Sequence, residues 1–487
     1  MSSGFSPVES YTSKLGKYEL LPFRFESLSK NEVVLTNSVG EFTHLSRETL
    51  LALVNHFLKP NDPSYQNLRA KHFLREPEDS AALELLALKT RTKLKNLANF
   101  TNLHLFVVSL RCDHSCHYCQ VSRQSEDKAA FDMTMETANK ALEMVFNSPN
   151  PSIKIEFQGG EPLLNFDLIK HTVEEAKARN KIENRNLEFV IATTLSLATD
   201  EILEFCRNHG IYLSSSLDGP EDLHNKNRPR PDKDSYAKFV EGLRRARNIV
   251  GYDFVSALMT TSPASLGRVK DIIDEYIKLG FGSIFLRHLS PYGFALKTKS
   301  YEACSVEKWL EFYCEGMDYI IELNKRGVEF VEHFSTVILT KMLTSNDPGF
   351  VDLMNPAGAG IAAIVFNYDG DVYASDESRM LHEMGDSSFK VGNVHKDSYK
   401  DIFTSDALLS TLENSFTSSI PMCSDCAFEQ WCGADPVFHH AVHGDLLGRK
   451  PESDFCKRMM GVIKYLLDTM QKDKEAKFIF MRWVNQC

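Results

Sequence analysis

Short apolar runs and helical stretches alternate along the middle of the chain, between residues 103 and 289. Near-continuous apolar runs are typical of strands that are covered on both faces, and parallel strands need long connections, which are usually helical. The pattern therefore predicts six β/α units that build a parallel sheet. The predicted strands are Leu103–Leu110, Ile153–Phe157, Leu187–Ala192, Ile211–Ser216, Phe254–Met259 and Ile284–Leu289. The stretches with helical periodicity include Met135–Phe146, Leu168–Ala178, Tyr236–Ile249 and Leu266–Leu279.

Six β/α units are too few to close an eight-stranded barrel, so the pattern predicts an α/β fold with an open, partial (β/α)6 barrel. In parallel α/β architectures the functional site lies at the carboxyl ends of the strands. We therefore expect the chemistry of this chain in the loops that follow the predicted strands.

The regions on either side of this core have different patterns. Residues 1–100 predict a small α+β, winged-helix-like unit, with a hairpin from Val33–Asn37 and Glu41–Leu45 and a helix that Ser46 caps. The predicted core covers residues 101–300, and residues 301–348 form a bridging helical segment. Residues 349–487 are turn-rich and carry cysteines before the pattern becomes helical again.

Composition excludes several classes of function. The net charge is −11 and basic residues form no block, which argues against nucleic acid as the partner. The N-terminus lacks the cationic start and apolar stretch of a signal peptide, and no apolar run approaches the ~20 residues that cross a bilayer. We expect a cytoplasmic protein with no membrane partner. In a reducing compartment, clustered cysteines indicate metal or redox ligands, whereas the terminal Cys487 is expected to be exposed.

Three cysteines follow the first predicted strand within a single loop. Cys112, Cys116 and Cys119 have the spacing C-x3-C-x2-C, and three thiolates so close together can converge on one metal centre. A structural zinc ion would need a fourth ligand nearby, which His114 or His117 could provide. The residues alone therefore leave zinc open as an alternative.

This spacing, with an aromatic residue before the last cysteine, resembles the signature of the radical S-adenosylmethionine (SAM) superfamily. The resemblance implies that Cys112, Cys116 and Cys119 hold three irons of a 4Fe-4S cluster and that SAM binds the fourth iron. It further implies that reductive cleavage of SAM gives a 5′-deoxyadenosyl radical, which abstracts a hydrogen atom. The cofactors would supply that chemistry, while the protein supplies placement and excludes water.

Further segments match motifs of the same superfamily. The residues Gly159, Gly160 and Glu161, followed by proline, resemble its GGEP segment, although alone they could form a plain strand-to-helix turn. By the resemblance, the glycines allow the backbone to approach SAM closely and Glu161 receives its ammonium group. Ser216 would contact the ribose and Arg228 the carboxylate of SAM.

Two further positions near the strand ends are ambiguous. Leu289 could pack on the adenine of SAM, although a core leucine is the more common role of such a residue. Thr193 and Thr194 stand where the superfamily often has Thr-Asn, and because the asparagine is missing no role is assigned to them.

A second group of cysteines lies in the C-terminal region. Cys423, Cys426, Cys432 and Cys456 offer four thiolates and resemble part of a SPASM domain, which normally holds two auxiliary 4Fe-4S clusters. Pro436 replaces one expected cysteine. The four that remain match the ligands of one auxiliary cluster, so the resemblance implies two 4Fe-4S clusters in total. A four-cysteine zinc site is the alternative.

The other expected cysteines of that domain are also absent. Ser375 stands at one of these positions, and the upstream stretch Asn355–Gly360 contains none. Asp376 follows Ser375, and in sulfatase-maturing relatives an aspartate at this place is the proposed base that takes a substrate proton. Asp376 is therefore a candidate catalytic base, or otherwise a solvated carboxylate in a turn.

Several segments resemble the radical SAM maturases of the His-Xaa-Ser system, B type. This resemblance implies modification of a ribosomally made precursor peptide, usually beside a second radical SAM protein and with a flavodoxin- or ferredoxin-type electron donor. The N-terminal unit would then capture a leader peptide at a sheet edge, or otherwise act as a lid. The segments are Leu21–Phe25, Arg69–Leu74, Ser152–Gly160, Ser256–Thr260, Asn355–Gly360 and Cys432–Pro436.

Three functions remain open at this point. The first is a peptide maturase that installs a crosslink or another modification derived from a C–H bond. The second is a sulfatase-maturase-like oxidation of a serine or cysteine in a protein. The third is a scaffold that binds zinc or an iron–sulfur cluster without catalysing a reaction.

Overall fold

The structure, a computed structural model, describes residues 18–95 and 97–486. The N-terminal heptapeptide, in which the sequence indicates no signal peptide, lies outside these residues. So does Cys487, which is predicted to be exposed. The strands are β1 (Glu19–Leu20), β2 (Phe23–Ser27), β3 (Glu32–Asn37), β4 (Phe42–Ser46), β5 (Leu74–Arg75), β6 (Leu103–Ser109), β7 (Ser152–Gly159), β8 (Asn186–Thr193), β9 (Ile211–Ser216), β10 (Val255–Leu258), β11 (Ser283–Ile284), β12 (Val331–Glu332), β13 (Ala363–Phe366), β14 (Asp371–Tyr373) and β15 (Lys390–Asn393).

Helices connect and cover these strands. They are α1 (Arg47–Val54), α2 (Pro63–Ala70), α3 (Ala81–Leu94), α4 (Lys128–Phe131), α5 (Met135–Asn147), α6 (Phe166–Glu183), α7 (Asp200–His209), α8 (Glu221–Asn227), α9 (Ser235–Ile249), α10 (Val269–Lys278), α11 (Phe294–Lys297), α12 (Ser300–Ala303), α13 (Val306–Lys325), α14 (His333–Leu343), α15 (Asp376–His382), α16 (Tyr399–Phe403), α17 (Asp406–Glu413), α18 (Pro436–His443), α19 (Asp454–Lys472) and α20 (Lys474–Gln486). Short 3-10 helices cover Pro162–Asn165, Tyr252–Phe254, Val351–Leu353, Thr417–Ser419 and Glu429–Trp431.

The central sheet has eight strands in the order β10-β9-β8-β7-β6-β13-β14-β15. Strands β6 to β10 run parallel to one another in chain order, and a helix follows each of β6 to β9 before the next strand begins. Their apolar runs are long because helices cover the sheet, which leaves β6 buried along nearly its whole length. The partial-barrel α/β fold predicted from the sequence is confirmed, and five of the six predicted strands agree within two residues.

The sixth predicted strand, Ile284–Leu289, does not join this sheet. Only its first residue is in a strand, and that strand, β11, pairs with β12. The backbone N–H of Arg287 donates to the carbonyl of Phe285 over 2.8 Å, and this local turn removes a donor that a sheet ladder would need. On the opposite edge of the sheet, β13 pairs in parallel with β6.

The N-terminal region forms a sheet of its own, in the order β2-β3-β4. The predicted hairpin is present, because β3 and β4 are antiparallel neighbours. Ser46 caps α1 as predicted, since its hydroxyl accepts a hydrogen bond of 3.0 Å from the backbone of Thr49. A separate cluster of buried apolar side chains, with Leu35, Leu53 and Phe73 among its members, stabilises this unit.

The bridging and C-terminal helices pack together on one side of the core. Helix α13 lies against both α10 and α19, and α14 lies against α20. The main hydrophobic cluster continues from Phe106 on β6 through Trp309 on α13 to Trp483 on α20. In the described part of the chain, no helix is both long and apolar enough to cross a membrane.

Candidate functional site

A cavity of about 260 Å3 lies at the carboxyl ends of strands β6 to β9, as expected for a parallel α/β sheet. We call it the cysteine cavity. The loop after β6 brings three half-buried thiols to it, and most of the site residues predicted from the sequence meet there. Those that line it are Cys112, Cys116, Cys119, Gly159, Gly160, Ser216, Arg228 and Asp376.

The two glycines are needed because the backbone of the cysteine loop passes directly over them. A Cβ atom on Gly159 would lie 1.9 Å from the carbonyl oxygen of Ser109, and one on Gly160 would lie 2.2 Å from that of Arg111. The N–H groups of Gly160 and Glu161 donate to these same two carbonyls, each over 2.8 Å. The glycines therefore attach the start of the cysteine loop to the end of β7.

Glu161, predicted to receive the ammonium group of SAM, lies beside the cavity and is hydrogen-bonded within the protein. Its side chain is fully buried and does not line the cavity, and its two oxygens accept four hydrogen bonds. Thr193 Oγ1 and the Leu163 N–H donate to Oε1 over 2.7 and 3.1 Å, and both the N–H and Oγ1 of Thr194 donate to Oε2 over 2.8 Å. A carboxylate has about four lone-pair positions, so none remains for an ammonium group. Glu161 instead joins β7 to the end of β8.

The threonine pair is the functional feature to which the sequence assigned no role. Thr193 and Thr194 line the cavity, and they hold the buried carboxylate of Glu161. Burial raises the pKa of Glu161, while hydrogen bonds from both threonines act in the opposite direction. One feature of the sequence could have indicated this contact. The Gly-Gly-Glu and Thr-Thr segments each follow one of two consecutive predicted strands, and the ends of neighbouring parallel strands lie close together.

Arg228 lies where it can bind an anion. Its Nε donates to Asp218 Oδ1 over 3.1 Å, and its guanidinium group lies 5.5 Å from the centre of the Tyr118 ring. Tyr118 in turn donates to the other oxygen of Asp218 over 2.5 Å. The terminal nitrogens of Arg228 have no hydrogen-bond partner among the described residues, and they border the cavity. A carboxylate could accept two hydrogen bonds from such a guanidinium group.

Leu289, predicted either to pack on the adenine of SAM or to be a core leucine, does not line the cavity. Its side chain is fully buried and packs in a small cluster with Tyr118 and Ala295. It is a core leucine that supports the aromatic residue of the cysteine loop. Ser216, at the end of β9, does line the cavity as predicted.

One neighbouring histidine lies close to the cysteine loop, since ligand atoms of Cys112, Asp113 and His114 all lie within 4.8 Å of one another. His114 forms hydrogen bonds through both ring nitrogens, Nδ1 with Asp113 over 2.7 Å and Nε2 with Ser235 over 2.9 Å. His117 is exposed. Burial raises the pKa of Cys116 to about 12, and that of Cys112 lies well above its usual range. A cationic centre is therefore needed to keep these thiols as thiolates.

The spacing of the sulfur atoms distinguishes between the two kinds of metal centre. Tetrahedral zinc with bonds of about 2.3 Å places its sulfur ligands about 3.8 Å apart. Among the described residues, neither Cys112, Cys116 and Cys119 nor any three of the four C-terminal cysteines have sulfur atoms that all lie within 4.8 Å of one another. Both sets of cysteines are therefore spaced more widely than the sulfur ligands of one zinc ion, whereas Cys112, Asp113 and His114 are close enough together for a single ion.

The four C-terminal cysteines meet at another cavity, of about 350 Å3. Cys423, Cys426 and Cys432 lie on one loop, and Cys456 lies in the first turn of α19, where the helix dipole favours a thiolate. Burial raises the pKa of Cys426 to about 11. His439, on α18, is not a ligand, because both of its ring nitrogens already form hydrogen bonds.

The N-terminal sheet is attached to this cysteine loop. Thr36 donates to the carbonyl of Ala427 over 2.5 Å, and the indole N–H of Trp431 donates to the carbonyl of Gly40 over 3.1 Å. Arg24 forms an ion pair of 3.1 Å with the buried Glu429. These contacts join two regions that lie almost 400 residues apart in the sequence.

A further cavity, of about 290 Å3, adjoins the cysteine cavity, and Asp376 and Arg287 line both. We call it the acidic chamber. Asp376 is half-buried at the start of α15, and its Oδ1 accepts a hydrogen bond of 3.1 Å from Arg379. Ser375 caps the same helix. The carboxylates that line the chamber are Glu156, Asp352, Asp376, Glu377 and Asp435.

These carboxylates influence one another's titration. Burial raises the pKa of Glu377 to about 7, and repulsion from Asp352 and Asp376 adds to the shift. Burial likewise raises the pKa of Asp352 and that of Asp435 to about 6. Near neutral pH the chamber therefore holds protons that an incoming positive charge would displace.

We predict that Glu377→Gln makes the protein more stable at alkaline pH. The pKa of Glu377 is about 7 in the folded protein, above its ordinary value of 4.5. The folded protein is therefore fully stable with respect to this group below pH 4.5, and it loses stability as the pH rises through 7 and the buried carboxyl group ionises. At pH 8 the variant should gain about 1–3 kcal/mol in the free energy of unfolding relative to the wild type, and near pH 4.5 it should gain nothing.

Thermal melting at a series of pH values measures this effect. The exposed Glu413 on α17 provides a matched control, because Glu413→Gln should shift the melting temperature at no pH. A parallel fall of the wild type and Glu377→Gln between pH 5 and pH 8 would contradict the prediction.

Two family models match the chain. The model of the radical SAM superfamily matches residues 106–275, which include the cysteine loop and the strands that border the cysteine cavity. The model of an iron–sulfur cluster-binding domain, SPASM, matches residues 359–427. This chain contains a radical SAM domain and a SPASM domain. The expectation of a radical SAM core followed by a SPASM-like domain is thereby confirmed.

Several curated proteins match parts of this chain. It is 29% identical over 190 residues to an uncharacterised protein of Methanocaldococcus jannaschii, and 24% identical over 241 residues to the radical SAM cyclopropyl synthase TigE of Paramaledivibacter caminithermalis. These matches cover 39% and 46% of this chain, and only 63% and 48% of the two relatives. A serine-type anaerobic sulfatase-maturating enzyme of Bacteroides thetaiotaomicron is 23% identical over 68% of this chain and 80% of its own length.

Two solved structures have the same fold as this chain. A structure of anSMEcpe with bound AdoMet superimposes with a TM-score of 0.65, at 17% identity, over 79% of this chain and 98% of its own. SuiB of Streptococcus suis, bound to the precursor peptide SuiA, superimposes with a TM-score of 0.53, at 15% identity, over 89% of this chain and 98% of its own.

Proposed function

We propose that this chain is a radical SAM peptide maturase that removes a hydrogen atom from a ribosomally made precursor peptide. The observation that carries the proposal is the position of Asp376 and Arg287 at the border of two cavities. The cysteine cavity is lined by the cysteine loop and by the residues suited to SAM. The acidic chamber is large enough for a side chain. A group bound in the acidic chamber would therefore lie next to the site of radical formation.

The residues of the cysteine cavity fit the cofactors. Cys112, Cys116 and Cys119 would hold the cluster that binds SAM, and Arg228 would bind the carboxylate of SAM through its unpaired guanidinium nitrogens. The backbone around Gly159 and Gly160 lines the same space, and Ser216 is placed for the ribose. With both cofactors bound, reduction of SAM would supply the 5′-deoxyadenosyl radical.

Asp376 would act as the base of this reaction. Loss of a hydrogen atom makes a neighbouring O–H, S–H or N–H group of the substrate more acidic, and a carboxylate within hydrogen-bond reach can take that proton. Asp376 borders both cavities, and its hydrogen bond from Arg379 holds the carboxylate in place. The bond that finally forms depends on the pose of the substrate.

The N-terminal unit, residues 1–100, would bind the leader of the precursor peptide. Its three-stranded sheet has β2 and β4 as outer strands, and β2 carries the half-exposed Phe25. An extended peptide could add to such an edge through backbone hydrogen bonds. A second radical SAM protein of the same system and a flavodoxin- or ferredoxin-type electron donor complete the proposed set of partners.

Two experiments test the proposal. Anaerobically reconstituted and reduced protein should convert SAM to 5′-deoxyadenosine, and failure to do so would leave the metal-binding scaffold as the function. Co-expression with a short peptide encoded beside this chain should change the mass of that peptide, for example by the loss of two hydrogen atoms. Tandem mass spectrometry would then locate the modified residue.

Oxidation of a serine or cysteine in a protein is the second candidate. The match to the serine-type sulfatase-maturating enzyme along most of both chains favours it, together with the carboxylate of Asp376. A sulfatase-derived peptide incubated with the reduced enzyme would distinguish the two functions, since an aldehyde product supports only this one.

We also propose that Cys423, Cys426, Cys432 and Cys456 hold one auxiliary 4Fe-4S cluster, which gives two clusters per chain. On this proposal, Cys432→Ala should lower the iron content of the purified protein to about half, because the cluster at the first cysteine loop remains. Cys314→Ala, on α13, is the control and should leave the iron content unchanged. Full iron content in Cys432→Ala, or tightly bound zinc in the wild type, would contradict the proposal.

A further inference from the structure

The acidic chamber carries an excess of negative charge. Five carboxylates line it together with two cations, Arg287 and Arg458, and Arg379 forms an ion pair of 3.1 Å with Asp376 from outside the lining, which leaves a formal charge of −2 when all five carboxylates are ionised. Asp352 and Glu377 form no ion pair and accept no hydrogen bond from another residue in the described part of the chain. Both are half-buried, and carboxylates that are partly removed from water without a partner are costly, so the chamber is suited to a positively charged ligand.

Several polar side chains of the chamber also lack partners. His288 is only 7% exposed, and neither of its ring nitrogens has a hydrogen-bond partner. The hydroxyl of Tyr292 and the indole N–H of Trp309 are likewise buried and unpaired. Most buried polar groups in proteins are hydrogen-bonded. These three unpaired atoms are enclosed in the wall, so a ligand in the chamber would first meet the carboxylates that line it.

The chamber does not have the geometry of a metal site. A divalent cation needs several oxygen or nitrogen ligands around a single point. Among the described residues, no three of the chamber's carboxylates and His288 bring their ligand atoms within 4.8 Å of one another. An organic cation can reach carboxylates that are this far apart, either because its charge is spread over several atoms or because the charge stands at the end of a long aliphatic chain.

The walls of the chamber are aromatic. Trp309, Phe334 and Phe438 lie along it, together with Tyr292. Aromatic faces attract organic cations, and they also pack against the methylene groups of long basic side chains. Carboxylates combined with aromatic walls are therefore suited to an arginine or a lysine.

The chamber also lies where the resemblance to SPASM domains expects cysteines. Ser375 lines it, and Pro436 directly follows Asp435, which lines it too. The positions at which the resemblance expects cysteines are thus next to the carboxylates of the chamber.

We propose that the acidic chamber binds the side chain of an arginine or lysine in the substrate peptide, next to the position at which the radical forms. The inference rests on the proposed function, because it assigns the peptide to this cavity. It adds a substrate class, namely peptides with a basic residue at or beside the modified position.

Small amino-acid derivatives test the inference directly on the cluster-loaded protein with SAM bound. Isothermal titration with Nα-acetyl-arginine amide and Nα-acetyl-lysine amide should show affinities at least about tenfold higher than with the neutral Nα-acetyl-norleucine amide. Glu377→Gln and Asp352→Asn should each weaken binding of the preferred cationic derivative about tenfold and leave the neutral one unchanged. Glu413→Gln is the control and should bind all three as the wild type does.

The wild-type comparison alone can overturn the inference. Equal affinity for the cationic and neutral derivatives would do so, even if a variant failed to fold. Unchanged binding of the cationic derivative in both variants would also overturn the inference. Binding of Mn²⁺ to the wild type that is lost in Glu377→Gln would overturn it too, because it would indicate a metal site. Formation of 5′-deoxyadenosine without any derivative is measured separately. Protein that cleaves SAM and shows no preference for cations contradicts this inference alone, whereas absent cleavage contradicts the proposed function.

Discussion

Cys116→Ala is expected to abolish cleavage of SAM and to remove the iron of the catalytic cluster. The cysteine loop offers three thiolates, and both ring nitrogens of His114 are already hydrogen-bonded. Two thiolates cannot hold three irons of a cluster, so formation of 5′-deoxyadenosine should fall to the background of the assay. The iron content should fall by about half, because the second group of cysteines is untouched.

The control for this experiment is Cys314→Ala. Cys314 is a half-buried thiol on α13, away from both groups of cysteines, and its replacement should change neither the iron content nor the cleavage of SAM. Chromatography of the quenched reaction and a colorimetric iron assay measure the two quantities. Substantial SAM cleavage by Cys116→Ala would refute the assignment of the cysteine loop.

Gly160→Ala should destabilise the protein by about 3 kcal/mol and also reduce the loading of the catalytic cluster. The added methyl group would lie 2.2 Å from the carbonyl oxygen of Arg111, which belongs to the backbone and cannot rotate away. Relief of this contact requires the cysteine loop to move from the end of β7. Its three thiols would then lose their common position.

Gly282→Ala is the matched control, because a Cβ atom at Gly282 would meet no atom within 4 Å. Its effect on the free energy of unfolding should stay within about 0.5 kcal/mol. Urea denaturation and iron analysis compare the two variants. A stable, fully iron-loaded Gly160→Ala would show that the close approach of the two backbones is not needed.

The sequence was sufficient to predict the core of the fold, because its local patterns agree with the tertiary structure. β6 is a nearly continuous apolar run, β7 alternates apolar and polar residues, and helical stretches separate the strands, so the local pattern indicates parallel β/α units. The same holds for the hairpin of β3 and β4, where a turn and a capping serine fix the boundaries. The three cysteines were placed correctly because they follow directly after β6.

The role of Glu161 could not be predicted from its own motif. A glutamate after two glycines suggested a ligand for an ammonium group, yet its oxygens accept hydrogen bonds from Thr193 and Thr194, some thirty residues later in the chain. Which donors surround a buried carboxylate depends on the packing of neighbouring strands. Local sequence does not encode that packing in a simple pattern.

The acidic chamber could not be predicted from the sequence for a similar reason. Asp352, Glu377 and Asp435 come from three separate loops and helix starts, and in the sequence each is an ordinary turn or helix-capping acid. Only the fold places them around one cavity. Ile284–Leu289 failed as a strand because a local hydrogen bond at Arg287 competes with the sheet, and apolar periodicity does not report such competition.

The attachment of the N-terminal sheet to the auxiliary cysteine loop has a consequence for the way the chain matures in the cell. The carbonyl of Ala427 and the indole of Trp431 can meet Thr36 and Gly40 only when the loop between Cys423 and Cys432 has its final shape. If metal fixes that shape, the N-terminal sheet is synthesised before this loop but can dock against it only after the metal has bound. Iron starvation should then leave the N-terminal unit detached and open to proteases, so that incompletely loaded copies are removed before they reach a substrate.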